Sequence, residues 1–312
     1  MAFARSLKSS HKHRQAERQQ EQVKETMKDF SGKVAVITGG ASGIGLAIAR
    51  EAAARGMKLV LADIEASALE KAADELASAG ADIITVVTDV SDAAAMENLE
   101  AKTFGAYGAI HLLFNNAGVG GGGCIWELDT DYWQWVLGAN LWGVIHGMRV
   151  FTKHLLAQGE GHIVNTASVA GLMSAPGTGP YTVSKHAVVA LSEVLAGELR
   201  NANAAVGVSV LCPSFVDTKI YLAERNRPLP DSRKNDPAYI EEQKVLGELA
   251  GEFFKTAMSP ADVATQVFEA IEQNRFYILT HPGVKEQVEK RMQAILHDGK
   301  PTVTGPEEFP YE

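Results

Sequence analysis

Tyr181 and Lys185 stand four residues apart in the stretch GTGPYTVSKHA, 177–187. A helix over this stretch shows both on one face. Two readings fit that spacing. One is an ordinary surface pair of an amphipathic helix; the other is a proton-transferring phenol beside the cation that tunes it. Spacing alone favours the ordinary pair, so the decision rests on what else the chain supplies. A second chemistry-bearing stretch is TGGASGIG, 38–45, in which Gly39, Gly43 and Gly45 follow a T-G-x-x-x-G-x-G pattern. Glycines so placed permit a tight turn, close approach of the backbone to a pyrophosphate, and close helix–strand packing. The free N–H groups and dipole of the following helix favour phosphate, with Ser42 and Ile44 among the expected contacts.

Asp63 ends the next apolar run, about twenty residues further on, where an acid can bind both hydroxyls of an adenosine ribose. The competing reading is a solvated carboxylate at a strand end. A charged Asp63 repels a ribose 2′-phosphate, and no Arg or Lys at positions 40–44 or 64 offsets it. Every ~1.4 kcal/mol of such repulsion is tenfold in affinity, so NAD is expected over NADP. Ile64, beside Asp63, and the pair Asp89 and Val90, after the third apolar run, are expected at the cofactor, with Asp89 at the adenine edge.

These stations need a frame, and the pattern of the chain supplies one. Short β-rich runs (KVAVIT, KLVLAD, DIITVVTDV, HLLFNNAG, GHIVNTAS, VGVSVLCP, RFYILT) alternate with helical stretches punctuated by Gly56 and Gly80. Such alternation implies βαβ units, and nearly continuous apolar strands imply a parallel sheet covered on both faces. The expected fold is α/β: a doubly wound Rossmann fold, about seven parallel strands flanked by helices. A long helix is expected over roughly 130–157 and another over 180–202. Ser259 caps a later helix with Pro260 at its first position. The expected division is an N-terminal extension 1–30, a catalytic domain 31–282 and a C-terminal extension 283–312. Within the domain, 218–258 breaks the rhythm and reads as a substrate lid or insertion.

Composition narrows the function classes. The chain has 312 residues, 46% hydrophobic and 21% charged, with a net charge of −9 that argues against nucleic acid as main partner. Apolar runs stop well short of 18 residues, and the N-terminus lacks an apolar h-region, so neither a membrane span nor a secretory signal is expected. Cys124 and Cys212 are too few for a disulfide framework or zinc site, which suits a reducing cytoplasm. The nine histidines show no ligand spacing; no metal is expected, and His186 is expected to face solvent or pack. Residues 1–30 carry seven Lys/Arg against four Asp/Glu and few large apolar groups, too few for a core of their own. Met27 is an alternative start, and a partner-binding or membrane-surface arm is the competing reading of this stretch.

TGGASGIG, Asp63, Asp89-Val90, Asn115-Asn116-Ala117-Gly118, Asn140, Ser168 and Tyr181-Thr-Val-Ser-Lys185 occur in one order over about residues 30 to 280. Together they resemble the short-chain dehydrogenase/reductase family. The resemblance implies that Tyr181 is the general acid or base at a substrate oxygen. Ionising a tyrosine at pH 7 costs about 4 kcal/mol, which Lys185 and an oxidised nicotinamide would offset. It implies further that Ser168 binds that oxygen and that Asn140 joins a water-linked proton relay to Lys185. Lys185 would also hold the nicotinamide ribose. Asn116, Ala117 and Gly118 would lie beneath the cofactor, while Asn115 is open between that and a purely structural tie. Pro213, Val216 and Thr218 would meet the nicotinamide amide, although the family's common Pro-Gly is here Pro213-Ser214.

The expected activity is therefore NAD-dependent interconversion of a secondary alcohol and its ketone. Val169, Ala170, Leu172, Met173 and Ala175, with Phe215 and Tyr221, suggest a hydrophobic substrate, aromatic or alicyclic. The insertion and tail resemble a bacterial branch that includes dehydrogenases of lignin-derived aryl alcohols. A non-catalytic NAD-binding scaffold or sensor, and an NAD-using epimerase or dehydratase, are the alternatives. The family resemblance implies a homo-oligomer, a tetramer or dimer joined through the helices at 130–157 and 180–202.

Overall fold

The computed structural model describes residues 27–297 and 299–302. Most of the N-terminal extension, 1–26, and the tail 303–312 lie outside the described residues. Seven strands form one parallel sheet: β1 (Val34–Thr38), β2 (Lys58–Asp63), β3 (Ile83–Val87), β4 (Leu112–Asn115), β5 (Gly161–Thr166), β6 (Val206–Cys212) and β7 (Tyr277–Leu279). Their order is β3-β2-β1-β4-β5-β6-β7. β1 and β4 are buried at every position, as the continuous apolar reading requires. Ala35 pairs with Leu59 on one side and Leu112 on the other. The chain direction across the sheet switches between β1 and β4, and the loops leaving those two strands open a crevice there.

Helices cover both faces. On one lie α1 (Gly43–Ala54) and α2 (Ala66–Ser78), joined later by α9 (Pro260–Glu272); Ile48, Leu69, Val267 and Phe268 pack there on Ile37, Leu59 and Phe114. On the other lie α3 (Ala93–Tyr107), α5 (Gly143–Gln158) and α6 (Gly179–Asn201); Met96, Leu99, Phe151 and Val188 pack there on Val36, Val60 and Leu113. Local chemistry sets the helix ends. Asp92 and Ser259 accept backbone N–H bonds at the starts of α3 and α9, and Gly108 closes α3 in the left-handed conformation.

One element differs from expectation. The single helix expected over 130–157 is α4 (Thr130–Leu137), a π turn over Gly138–Trp142, and α5. The helical period persists through all three, but the extra residue in the π turn changes which side chains face inward. Asn140 becomes fully buried as a result. The segment after β6 is ordered: a 3-10 turn Ile220–Asn226, one turn α7 (Asp231–Lys234), and α8 (Pro237–Phe254). No residue of α8 is buried, and Ile240, Leu246 and Leu249 are exposed. The last helix is α10 (Val284–Leu296). Among the described residues no helix is long and apolar enough to cross a membrane.

Candidate active site

The crevice at the sheet switch point is a cleft of about 710 Å³. Its floor begins where β1 turns into α1. Gly39 and Gly43 adopt φ of +64° and +53°, the left-handed region that favours glycine. A Cβ on Gly39 would lie 2.8 Å from Ala117 Cα, and one on Gly45 would lie 2.0 Å from Gly39 O. Gly39, Ser42, Gly43 and Ile44 line the cleft, whereas Gly45 sits behind the loop, where it lets helix and strand close up. This cradle, at the N-terminus of α1, fits a pyrophosphate.

Thr38, not singled out in the sequence, is the hub beneath it. Its hydroxyl accepts the N–H groups of Asn116 at 3.0 Å and Ala117 at 3.1 Å. Asn116 Nδ2 in turn donates to Thr38 O at 3.1 Å. Asn116, Ala117 and Gly118 all line the cleft, but the Asn116 side chain ties β1 to β4. Of the two readings open for Asn115, the structure supports the structural tie: its Nδ2 donates to Asn165 Oδ1 on β5 at 2.8 Å.

At one end of the cleft stands Asp63. Its two carboxylate oxygens accept the N–H of Ala41 and of Glu65, each at 3.1 Å. Burial raises its pKa, and those backbone bonds pull the other way. Ile64, Asp89 and Val90 line the same end. Asp89 Oδ1 is turned onto Ser91, accepting its N–H at 2.9 Å and its hydroxyl at 2.7 Å. Positions 40–44 and 64 bring no cation to this end, but the segment after β6 does. Arg225 and Asn226 line the cleft here and both donate to Glu65 Oε1, at 2.5 and 2.8 Å. Arg227, two residues beyond Arg225, reaches Asp129 at 3.2 Å.

The other end gathers the four chemistry-bearing residues. Ser168 follows β5 and caps a 3-10 turn, Val169–Gly171; its Oγ accepts the Ala170 N–H at 3.1 Å and donates to Pro213 O at 3.3 Å. Tyr181 and Lys185 lie in the first two turns of α6. The Lys185 ammonium donates to Thr166 O at 3.0 Å and sits 5.5 Å from the Tyr181 ring centroid. Burial raises the Tyr181 pKa above its ordinary value, opposed by a hydrogen bond with the Ser168 hydroxyl. Burial also takes Lys185 down to about 8.

Asn140 lies behind this wall. Its Oδ1 accepts the Val119 N–H at 2.7 Å, and its Nδ2 donates to Val119 O at 3.0 Å and Ser184 Oγ at 3.2 Å. Its amide side chain is engaged there rather than in a direct bond to Lys185. Ser184, three residues after Tyr181, donates to Tyr181 O at 2.6 Å and was legible only as part of the Tyr-x-x-x-Lys match. A Cβ on Gly118 would lie 2.9 Å from Asn140 Oδ1, so glycine here leaves that amide its place.

Pro213, Val216 and Thr218 line the cleft, with Thr218 packed over Gly43. Val169, Met173, Phe215 and Tyr221 form an apolar wall, as do Ala170 and Ala175. Leu172 does not line the cleft; it packs against the cluster of Val169, Met173 and Val284. Phe254, at the end of α8, completes the wall with ring centroids 5.8 Å from Phe215 and 5.3 Å from Tyr221. Nothing in its sequence neighbourhood marked it. His186 is half-buried, its Nδ1 within 3.0 Å of Thr182 O. Burial pushes the Cys212 thiol up to about 12. Among the described residues no cluster of three His, Cys, Asp or Glu could hold a metal ion.

Comparison with known proteins agrees with this geometry. Residues 33–228 match the profile of a family described as short chain dehydrogenase. A CLA biosynthesis dehydrogenase/reductase of Lactiplantibacillus plantarum is 40% identical, over 89% of this chain and 98% of the relative. A C alpha-dehydrogenase of a Sphingobium species is 35% identical, over 90% of this chain and 91% of the relative. Among solved structures, a short chain dehydrogenase/reductase from Burkholderia phymatum in complex with NAD superposes with a TM-score of 0.81. It is 48% identical, over 88% of this chain and 98% of that one.

Proposed function

The chain belongs to the short-chain dehydrogenase/reductase family, and from that premise we propose that it is an NAD-dependent oxidoreductase interconverting a hydrophobic secondary alcohol and its ketone. One observation carries the reading: Ser168, Tyr181 and Lys185 converge on the wall of the same cleft whose floor is the glycine cradle and whose far end is Asp63. A relative solved with NAD supports the cofactor. The Asp63 carboxylate supports NAD over NADP, with Arg225 already paired to Glu65. The apolar wall of Val169, Met173, Phe215, Tyr221 and Phe254 supports a bulky, apolar, aromatic or alicyclic substrate. The names of the Lactiplantibacillus and Sphingobium relatives support dehydrogenation as the reaction class.

In this reading residues 39–45 and 116–118 hold the pyrophosphate and the face of the dinucleotide, Asp63 its adenosine ribose, and Pro213, Val216 and Thr218 its nicotinamide end. The bound nicotinamide supplies the hydride acceptor or donor and, when oxidised, a positive charge. Ser168 donates a hydrogen bond to the substrate oxygen and stabilises the charge that develops there. Tyr181 takes the hydroxyl proton in the oxidative direction and returns it in the reductive one. Burial raises the Tyr181 pKa, and positive charge near the phenol, from Lys185 and from an oxidised nicotinamide, would favour its ionised form. Lys185 holds the nicotinamide ribose and passes the proton on, with Asn140 fixing the Val119 backbone beside it. Residues 218–258 act as the substrate lid of a catalytic domain, 31–282. Exposed apolar groups on α6 and on the π turn before α5, Trp142, Val183 and Val194 among them, support a homo-oligomer, which light scattering would detect.

The test is absorbance at 340 nm with NAD or NADP and a panel of aliphatic, alicyclic and aryl secondary alcohols. The expected result is reduction of NAD alone, on bulky apolar substrates. Turnover with NADP in preference would contradict the Asp63 reading. NADH binding without turnover of any alcohol or ketone would favour a scaffold.

A further inference from the structure

β6 and β7 run side by side in register, Cys212 opposite Leu279. The chain therefore leaves both strands at one place. From β6 it enters the loop 213–216, which lines the cleft and begins beside Ser168. From β7 it enters Thr280 and His281, each 5% exposed. The His281 ring lies against the loop backbone: Ser214 N–H donates to Nδ1 at 3.3 Å, and Nε2 lies 3.0 Å from Phe215 O. Thr280 Oγ1 is 2.7 Å from Nδ1.

These partners fix the tautomer. A carbonyl oxygen can only accept and a backbone N–H can only donate, so the proton sits on Nε2 and Nδ1 is the acceptor. Burial lowers the His281 pKa, which keeps the ring in that neutral form. Ser214 occupies the position where the resembling family commonly has glycine, and its Oγ is buried without a partner. Two peptide groups of the cleft wall, Pro213–Ser214 and Phe215–Val216, are thus held by one side chain, 67 and 66 positions away in the chain.

We propose that His281 is a positioning residue for the nicotinamide-facing loop, clamping the Ser214 and Phe215 peptide groups so that 213–216 presents a fixed edge to that end of the dinucleotide. The proposal rests on the dinucleotide reading of the cleft. His281 touches neither cofactor nor substrate; it acts through the loop. Losing it removes both hydrogen bonds from these part-buried backbone groups, which lets the loop move off its present path.

The experiment titrates NADH and ADP-ribose, which lacks the nicotinamide, onto wild-type protein and the variants His281→Ala, His281→Asn and His281→Gln. The expected result for His281→Ala is NADH binding weakened about tenfold or more, with ADP-ribose within about twofold of wild type. His281→Asn can keep the acceptor for Ser214, and His281→Gln the donor for Phe215, so each should recover part of the loss. Melting temperature is recorded for each, and if His281→Ala does not fold, the Asn and Gln variants carry the comparison. Parallel weakening of both ligands, or unchanged NADH affinity in all variants, would overturn the proposal. Failure of the wild type to bind NADH would instead overturn the dinucleotide reading itself.

Discussion

The wall around Ser168, Tyr181 and Lys185 and the segment 219–258 face the same cleft and are built in opposite ways. The first is buried and locked by short, specific bonds: Lys185 is 4% exposed, Asn140 and Ser184 fully buried, and their polar side chains are matched to backbone groups or to one another. The second is held by Arg225 on Glu65, Arg227 on Asp129, and aromatic contacts among Phe215, Tyr221 and Phe254. Its helix α8 buries nothing completely. The contrast teaches where each property of such a protein resides. Proton transfer needs groups whose position and pKa do not drift, which burial provides. Substrate choice needs a wall that can be exchanged and opened, which half-exposed contacts provide.

Ways to break that comparison begin with the buried side. Lys185→Met should lower turnover by at least about a hundredfold, measured at 340 nm with saturating cofactor. The same variant tests the charge burial. Lys185 titrates at about 8 in the fold against 10.5 when free, so between those values the unfolded chain binds the extra proton. Folding stability from this group therefore rises as pH increases from about 8 to about 10.5. Urea titrations at pH 7.5 and 9.5 should show wild type gaining on Lys185→Met at the higher pH; equal shifts would mean Lys185 is not desolvated.

The glycine cradle should give the next largest effect. Gly45→Ala places a methyl against Gly39 O and should weaken NADH binding by about tenfold or more, read by NADH fluorescence. Glu65→Gln and Arg225→Ala sharpen the other side of the comparison. A pair this exposed is worth about 0–1 kcal/mol, so NADH affinity should change less than about fivefold, and by less still at high salt. A hundredfold loss would mean that 219–258 is as rigidly engaged as the buried wall.

Legibility in the sequence followed the same division. The strands were readable because they are buried on both faces and hence continuously apolar, and two helix ends because Gly56 and Gly80 turn the chain at positive φ. Tyr181, Lys185, Ser168 and Asp63 were readable because one short segment fixes each of them. The π turn was not, since its residues keep helical periodicity and only the Asn140 bonds to Val119 reveal the register change. Arg225, Phe254 and His281 were missed for a related reason. Arg225 meets Glu65 across 160 positions, and His281 meets Phe215 across 66, distances over which no local pattern runs. The family could thus be read before the structure, and the apolar wall of the cleft only in part.

The most direct measurement is a single-turnover experiment on Tyr181→Phe, mixing NADH-loaded protein with a ketone that the wild type reduces and following 340 nm. Hydride transfer should slow by about 10² to 10⁴-fold while NADH binds as in wild type, because the hydroxyl gives up the proton without building the cofactor cradle. Transfer at close to the wild-type rate would contradict Tyr181 as the proton donor, and with it the account of this cleft.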